Sequence, residues 1–291
     1  MKKNIYPFIF SFCLIGFTVY IILDTFVITK LYEVVENSAS DNLVKNSQEI
    51  ISNNTYYRDD NIEIVLKTIR EYDTDIYIAD VTLSDPNYLK TAFAQNSYGR
   101  NITDTTSGMA NANNAILAIN GDYYGVQSKG YVLKNYTVYR STAVDKEDLV
   151  IYKDGTFEII NEKDVTTEEL VAKNAKEILS FGPALIENGN IVVSKNDEVG
   201  KAKASNPRTA IGYIDEGHYV FVVSDGRTSE SVGLSLYELA ELMVDYGVET
   251  LYNLDGGGSS AMVFNGNLIN NPTTNGKIKE RSVSDIVYIG Y

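Results

Sequence analysis

The chain opens with an apolar run from Ile5 to Leu23 broken only by Pro7, Ser11, Gly16 and Thr18. That is about the length a helix needs to cross a bilayer, and it predicts a single N-terminal transmembrane helix. A secretory signal peptide is the competing reading, but its apolar region is shorter and ends in a small-residue cleavage site. The nearest such site, Ser38-Ala39-Ser40, lies too far downstream. Lys2 and Lys3 before the span and Lys30 after it favour the N-terminus inside and the remainder outside. The pattern divides the chain into an N-terminal membrane anchor over 1–30, a polar stalk or linker over 31–54, and one large domain over 55–291.

Within that domain the dominant pattern is that of strands: runs rich in Val, Ile, Tyr, Thr and Phe, bounded by Gly, Asn and Asp. Asp75 to Thr82, Ala115 to Ile119, Gly130 to Leu133, Val150 to Tyr152 and Phe157 to Ile160 are such runs. Arg208 to Ile214, the turn Asp215-Glu216-Gly217 and His218 to Ser224 predict a hairpin. Helical spacing is clearer in few places. Leu236, Leu239, Ala240, Met243 and Val244 share one face, Ser235 with Glu238 forms a capping box, and Gly247 supplies the stop. Thr105 to Asn114 and Thr167 to Lys176 predict two further helices. The fold class is α+β, a large mixed or antiparallel β-sheet system with a few covering helices.

Composition narrows the chemistry. The only cysteine, Cys13, falls in the apolar span, which removes a disulfide scaffold, a Cys-ligated zinc site and a Cys nucleophile from the exterior part. The sole histidine, His218, follows the hairpin turn, so a His-based triad or multi-His metal site is not expected. The net charge of −14 disfavours nucleic acid and anionic lipid as partners. An anionic substrate would therefore need a local cluster of positive charge.

One segment stands apart: Leu254-Asp255-Gly256-Gly257-Gly258-Ser259-Ser260, between the strand-like runs Thr250 to Leu254 and Ala261 to Phe264. Three glycines give up packing and cost backbone entropy, so something needs the bare backbone. A tight turn is the plain alternative. A phosphate-binding loop of the Walker or dinucleotide type does not fit, because an apolar strand-like run follows where a helix should start.

Three of the seven arginines occupy motif-like settings: Asn206-Pro207-Arg208-Thr209, Asp225-Gly226-Arg227 and Glu280-Arg281-Ser282-Val283. Each either forms a local ion pair or joins the others in gripping a phosphate, for which the planar guanidinium fork is suited. The acidic candidates are Asp122, Asp225 and Asp255, each at the end of a strand-like run. Paired carboxylates perform glycosidic chemistry; Asp-Gly also caps turns.

In order, these segments resemble the phosphodiester glycosidase family. The resemblance runs over about 75–291 through Thr105-Thr106-Ser107-Gly108-Met109-Ala110, Ala118-Ile119-Asn120-Gly121-Asp122-Tyr123-Tyr124 and Gly182-Pro183-Ala184-Leu185-Ile186. It continues through Asn206-Pro207-Arg208-Thr209-Ala210-Ile211-Gly212, Val223-Ser224-Asp225-Gly226-Arg227, the capped helix after Gly233, the triglycine segment and Glu280-Arg281-Ser282-Val283. It implies hydrolysis of a sugar joined through its anomeric carbon to a phosphodiester, freeing the sugar and a phosphomonoester. A phosphate leaving group needs cationic stabilisation more than protonation.

The resemblance further implies catalytic roles among Asp255, Asp225 and Asp122, with Asp255 as base or nucleophile. Substrate would be bound by Asn120, Arg208, Thr209, Arg227, Gly256, Gly257, Ser259 and Arg281, the arginines taking the phosphate and the backbone N–H groups of Gly256 to Gly258 holding oxygens. Tyr123 and Tyr124 would stack on a sugar face. Asp122, Tyr123 and Tyr124 depart from the family's usual small residue and phenylalanines, which implies a different sugar preference. No cofactor is required, and a structural divalent cation stays open. The expected partner is a phosphorylated glycan of the cell envelope or an exopolysaccharide, met by an extracytoplasmic domain held to the membrane by its N-terminal helix. Two other functions stay open: a non-catalytic glycan-binding envelope protein, and a metal-dependent phosphodiesterase that cuts the P–O bond.

Overall fold

The computed structural model describes residues 5–35, 50–197 and 205–291. Its centre is a pair of antiparallel sheets packed face to face. The larger has nine strands in the order Asn190–Ile191, Ala184–Glu187, Thr250–Asn253, Thr209–Asp215, His218–Ser224, Thr74–Leu83, Ile62–Glu71, Tyr56–Arg58 and Ile51–Ser52. The smaller has five: Asn267–Leu268, Met262–Phe264, Leu117–Asn120, Asp285–Ile289 and Leu89–Phe93. A three-stranded sheet of Phe157–Asn161, Glu147–Tyr152 and Ala175–Leu179 closes one flank. All the strand pairings within these three sheets are antiparallel.

Period-two alternation explains the layering. Tyr77, Ala79, Val81 and Leu83 point toward the five-stranded sheet and share one core with Phe221, Tyr252, Ile119, Met262 and Val287. Ile76 and Ile78, one residue out of phase, pack on the other side with Leu236, Leu239, Ala240 and Met243. The outer face of the small sheet is covered in the same way by Met109 and Ala110 against Ala118, Val263 and Ile286. The result is helix, sheet, sheet, helix. The central strands, such as His218–Ser224, Leu117–Asn120 and Asp285–Ile289, are buried on both faces and read as apolar runs, whereas Ile62–Glu71 and Leu89–Phe93 nearer the edges alternate.

The helix Leu236–Asp245 has the expected capping box at Ser235 and Glu238. At its other end Val248 N–H donates to Met243 O and Gly247 N–H to Val244 O, with Gly247 at φ +89°, a Schellman stop. The helix Thr106–Ala112 starts at Thr105, whose hydroxyl accepts from Gly108 N–H. The third helix is shorter than its periodicity predicts. It covers Thr167–Ala172, and Asn174 at φ +64° turns the chain so that Ala175–Leu179 pairs with Glu147–Tyr152. The apolar residues after 174 serve a strand, and tertiary pairing overrides the helical spacing.

The helix Ile5–Phe26 contains a stretch, Tyr6–Phe26, of mean hydropathy 2.1, long and apolar enough to cross a membrane; a signal sequence meets the same criterion. Lys2 and Lys3 lie outside the described residues, as does 36–49 of the expected stalk. Of its flanks, Lys30–Val34 forms a strand antiparallel to Ser97–Arg100, and Ile51–Ser52 is the last strand of the large sheet.

Candidate active site

Antiparallel alternation brings the motifs to one end of the sandwich. Thr250–Asn253 runs into this end, Thr209–Asp215 leaves it, and His218–Ser224 returns to it, with Asn253 paired to Ala210 and Val223 to Thr209. Asp255, Arg208 and Asp225 therefore become neighbours although far apart in sequence. From the small sheet, Leu117–Asn120 ends here and Asp285–Ile289 begins here, with Asn120 paired to Ile286. His218 sits at the opposite end of its strand, roughly 20 Å away by strand rise, where its Nε2 meets Asp80 at 2.8 Å.

Asn120 fastens the two sheets at this end. Its Oδ1 accepts from Thr209 Oγ1 at 2.9 Å and from Ala261 N–H at 3.2 Å, while its Nδ2 donates to Asp255 O at 2.6 Å. Asp255 N–H donates to Gly121 O. Asn120 and Thr209 are fully buried, so both hold the Asp255 backbone in place.

The triglycine owes its bare backbone to the arginines. A β-carbon on Gly257 would lie 2.7 Å from Arg227 Nη2, and one on Gly258 would lie 2.8 Å from Arg281 Nη2 and 2.6 Å from Thr274 Oγ1. On Gly256 it would meet Pro207 O at 2.9 Å. Gly257 also needs φ +64°. The expected row of three N–H groups facing a ligand is not what forms. Gly257 N–H is spent on Pro207 O at 2.8 Å, and that of Gly256 is directed at the Asp255 carboxylate.

Arg227 is itself at φ +63°, and its Nε and Nη2 both donate to Asn206 Oδ1, at 3.1 and 2.9 Å. Arg227 and Arg281 are exposed, and among the described residues no carboxylate lies within ion-pair distance of either. The local ion-pair reading therefore fails for both. Glu280, the neighbour that invited it, instead accepts from Ser107 N–H at 3.0 Å at the start of the helix Thr106–Ala112. Arg208 differs: it is buried, and its Nε donates to Leu234 O at 2.8 Å.

The three acids have different surroundings. Asp255 remains partly exposed, and its carboxyl is pushed up to about 6, chiefly by burial and further by the negative charge of Asp122. Ser259, Arg281 and Gly256 N–H pull the other way. Ser259 Oγ is buried and faces Asp255, and neither it nor the buried Ser260 Oγ has a hydrogen-bond partner among the described residues. At neutral pH Asp255 is thus mainly ionised, the state of a base or nucleophile.

Asp225 is buried and saturated. It accepts from Tyr77 Oη, Asn270 Nδ2, Asn271 N–H and Asn271 Nδ2 at 2.8–3.2 Å, which ties the 270–271 turn to the end of its strand. Asp122 is also buried, accepting from Tyr124 N–H at 2.9 Å and Ser180 N–H at 3.0 Å, with Lys134 Nζ 3.7 Å away. Tyr124 packs edge-on against Phe93 and stacks on Tyr98 in the interior, so it cannot form a sugar platform; Tyr123 remains exposed.

Two buried charges went unread in the sequence. Lys134 Nζ lies 2.9 Å from Asp285 Oδ2 beneath Gly121. A β-carbon on Gly121 would strike the Asp285 carboxylate at 2.4 Å. Burial pulls the Lys134 ammonium down, but Asp285, Asp122 and Glu177 outweigh it and hold it above its ordinary value. Burial and Asp122 push Asp285 up against Lys134. The only signal was a charged residue at the end of each apolar strand. Among the described residues no group of three or more His, Cys, Asp and Glu side chains forms a metal-binding set.

The model of the family described as phosphodiester glycosidase matches residues 113–290. The SPβ prophage-derived protein YomE of Bacillus subtilis is 29% identical over 202 residues, covering 67% of this chain and 31% of that protein. Human N-acetylglucosamine-1-phosphodiester alpha-N-acetylglucosaminidase is 30% identical over 188 residues, covering 58% of this chain and 36% of its own. The chain thus spans about a third of the length of these curated relatives. In structure it is similar to the zebrafish enzyme of that name, in a catalytic domain auto-inhibited by its pro-peptide. The TM-score is 0.63 at 20% identity, over 91% of this chain and 88% of that one, a likeness of fold.

Proposed function

Because the chain belongs to the phosphodiester glycosidase family, we propose that it hydrolyses a sugar-1-phosphodiester at the glycosidic C–O bond, releasing free sugar and a phosphomonoester. One observation carries the reading: two guanidiniums without carboxylate partners lie against the glycine backbone that follows the ionisable Asp255. Arg227 and Arg281 neutralise the phosphate as it departs, an electrostatic role that replaces a strong general acid. Asp255 acts at the anomeric carbon, as nucleophile or by activating water. Asp122 and Asp225 hold the surrounding loops, and Arg208 fixes the 206–208 segment on which Arg227 and Gly256 rest. Ser259 completes the sugar or phosphate contacts, and Tyr123 offers a ring to the sugar.

The N-terminal helix supports a single-pass anchor with the domain outside the cytoplasm, in envelope or exopolysaccharide glycan metabolism. Full-length protein in detergent should release sugar from a sugar-1-phosphodiester and leave an aryl glycoside without phosphate intact. Equal rates on both would end the reading.

A further inference from the structure

The same end of the molecule carries positive charge beyond the two cradle arginines. Thr273–Thr274 and Lys277–Ile278 form a hairpin closed by Asn275 and Gly276, both at positive φ. It is wedged into the site: Thr273 Oγ1 donates to Gly226 O at 2.9 Å and Thr274 Oγ1 to Gly258 O at 3.3 Å. Lys277 pairs directly with Thr274, and Lys279 N–H donates to Pro272 O at 2.7 Å, which continues the register. Opposed residues of an antiparallel pair share a face, and alternate residues repeat it. Lys277 and Lys279 therefore fall on the face whose Thr274 leans over Gly258, where the Arg281 guanidinium also sits.

This stretch, Lys277-Ile278-Lys279-Glu280-Arg281, has three cations in five residues of a chain whose net charge is −14. Its one acid is occupied at the helix Thr106–Ala112. Lys277 and Lys279 are exposed, and among the described residues neither has a carboxylate within ion-pair distance. Solvated lysines alone are commonplace. Here, however, they share the hairpin face of Thr274, which meets Gly258 beside the Arg281 guanidinium assigned to the departing phosphate.

We infer that Lys277 and Lys279 form a subsite for a second phosphate on the leaving-group side, so that the substrate is a glycan or polyol chain carrying repeated phosphodiesters. The inference rests on the hydrolase reading for the direction of the chain, though not for the binding of the anion. Two diesters of one sugar 1-phosphate test it, one with glycerol and one with glycerol 3-phosphate as leaving group. Full-length wild type and the Lys277→Gln/Lys279→Gln double variant would be compared by kcat/KM and by calorimetric Kd at low salt.

Wild type is expected to prefer the doubly phosphorylated diester by about tenfold, the size of one added charge-assisted contact. The double variant should lose that preference while keeping wild-type values on the glycerol diester. Absence of a preference in wild type, or its survival in the double variant, would overturn the subsite. If neither diester is cleaved, the hydrolase reading falls, while a Kd preference that the double variant abolishes still supports the subsite. Binding to anionic vesicles that depends on the two lysines, with no diester preference, would overturn it in favour of lipid.

Discussion

Arg227 rests on Gly257 so closely that any β-carbon there would lie 2.7 Å from its Nη2. The glycine run and the arginines thus form one device: bare backbone admits two guanidiniums beside Asp255, and the guanidiniums give the site positive charge in a chain whose net charge is −14. Each part of the device makes a distinct prediction.

Gly258→Ala adds a methyl where Arg281 and Thr274 already meet the backbone, without the positive φ that complicates Gly257. Arg281 must swing aside. The expected outcome is a fall in kcat/KM on a sugar-1-phosphodiester of about tenfold or more, with the melting temperature within a few degrees of wild type. Activity equal to wild type would separate the arginine from the chemistry.

Asp255→Asn should abolish turnover and stabilise the fold at neutral pH. The Asp255 carboxyl titrates at about 6 when folded, above its ordinary range, so the folded state holds the proton more tightly than the unfolded. That contribution is fully present at low pH and is lost as pH rises through about 4 to 6, which leaves an ionised, desolvated carboxylate as a cost above pH 6. Asparagine removes the cost. Denaturant unfolding should show a gain on the order of 1–3 kcal/mol at pH 7.5, discounted for partial exposure, and little gain near pH 4.

The pH profile follows from the same group. If Asp255 must be ionised, kcat/KM falls below pH 6 with an acid limb near that value. Arg281 is one of the groups that lower the Asp255 carboxyl, so Arg281→Gln should move the acid limb to higher pH as well as raising KM. A limb that stays in place would mean that Asp255 does not feel Arg281.

Thr209→Val removes the hydroxyl that reaches Asn120 across the sheets. Asn120 keeps its bond from Ala261, so the expected loss is moderate, about 1–2 kcal/mol by chemical denaturation. Because Asn120 also holds Asp255 O, kcat should fall while KM changes little. Loss of stability with unchanged kcat would confine Thr209 to the fold.

The features legible in the sequence were those set locally. The hairpin 209–224, the capped helix after Ser235 and the Gly247 stop follow from neighbours a few residues apart, and the triglycine announced a demand for bare backbone. What made that demand was hidden. Arg227 and Arg281 reach Gly257 and Gly258 only through sheet pairing, and the Lys134 and Asp285 pair joins residues 151 positions apart. Tyr123 and Tyr124 read alike as sugar platforms; the turn at Tyr123 into the short 3-10 helix Tyr124–Val126 leaves the first ring exposed and buries the second. The helix from Thr167 ran on in the sequence because apolar strand residues after Asn174 happen to keep its spacing.

The central claim, that the bond broken joins the anomeric carbon to oxygen while arginines hold the departing phosphate, is tested most directly by isotope. Hydrolysis of a sugar-1-phosphodiester in H₂¹⁸O, quenched early and read by mass spectrometry, should give a phosphomonoester without solvent ¹⁸O and label in the freshly released sugar. Solvent ¹⁸O in the phosphomonoester would mean attack at phosphorus and would contradict the account.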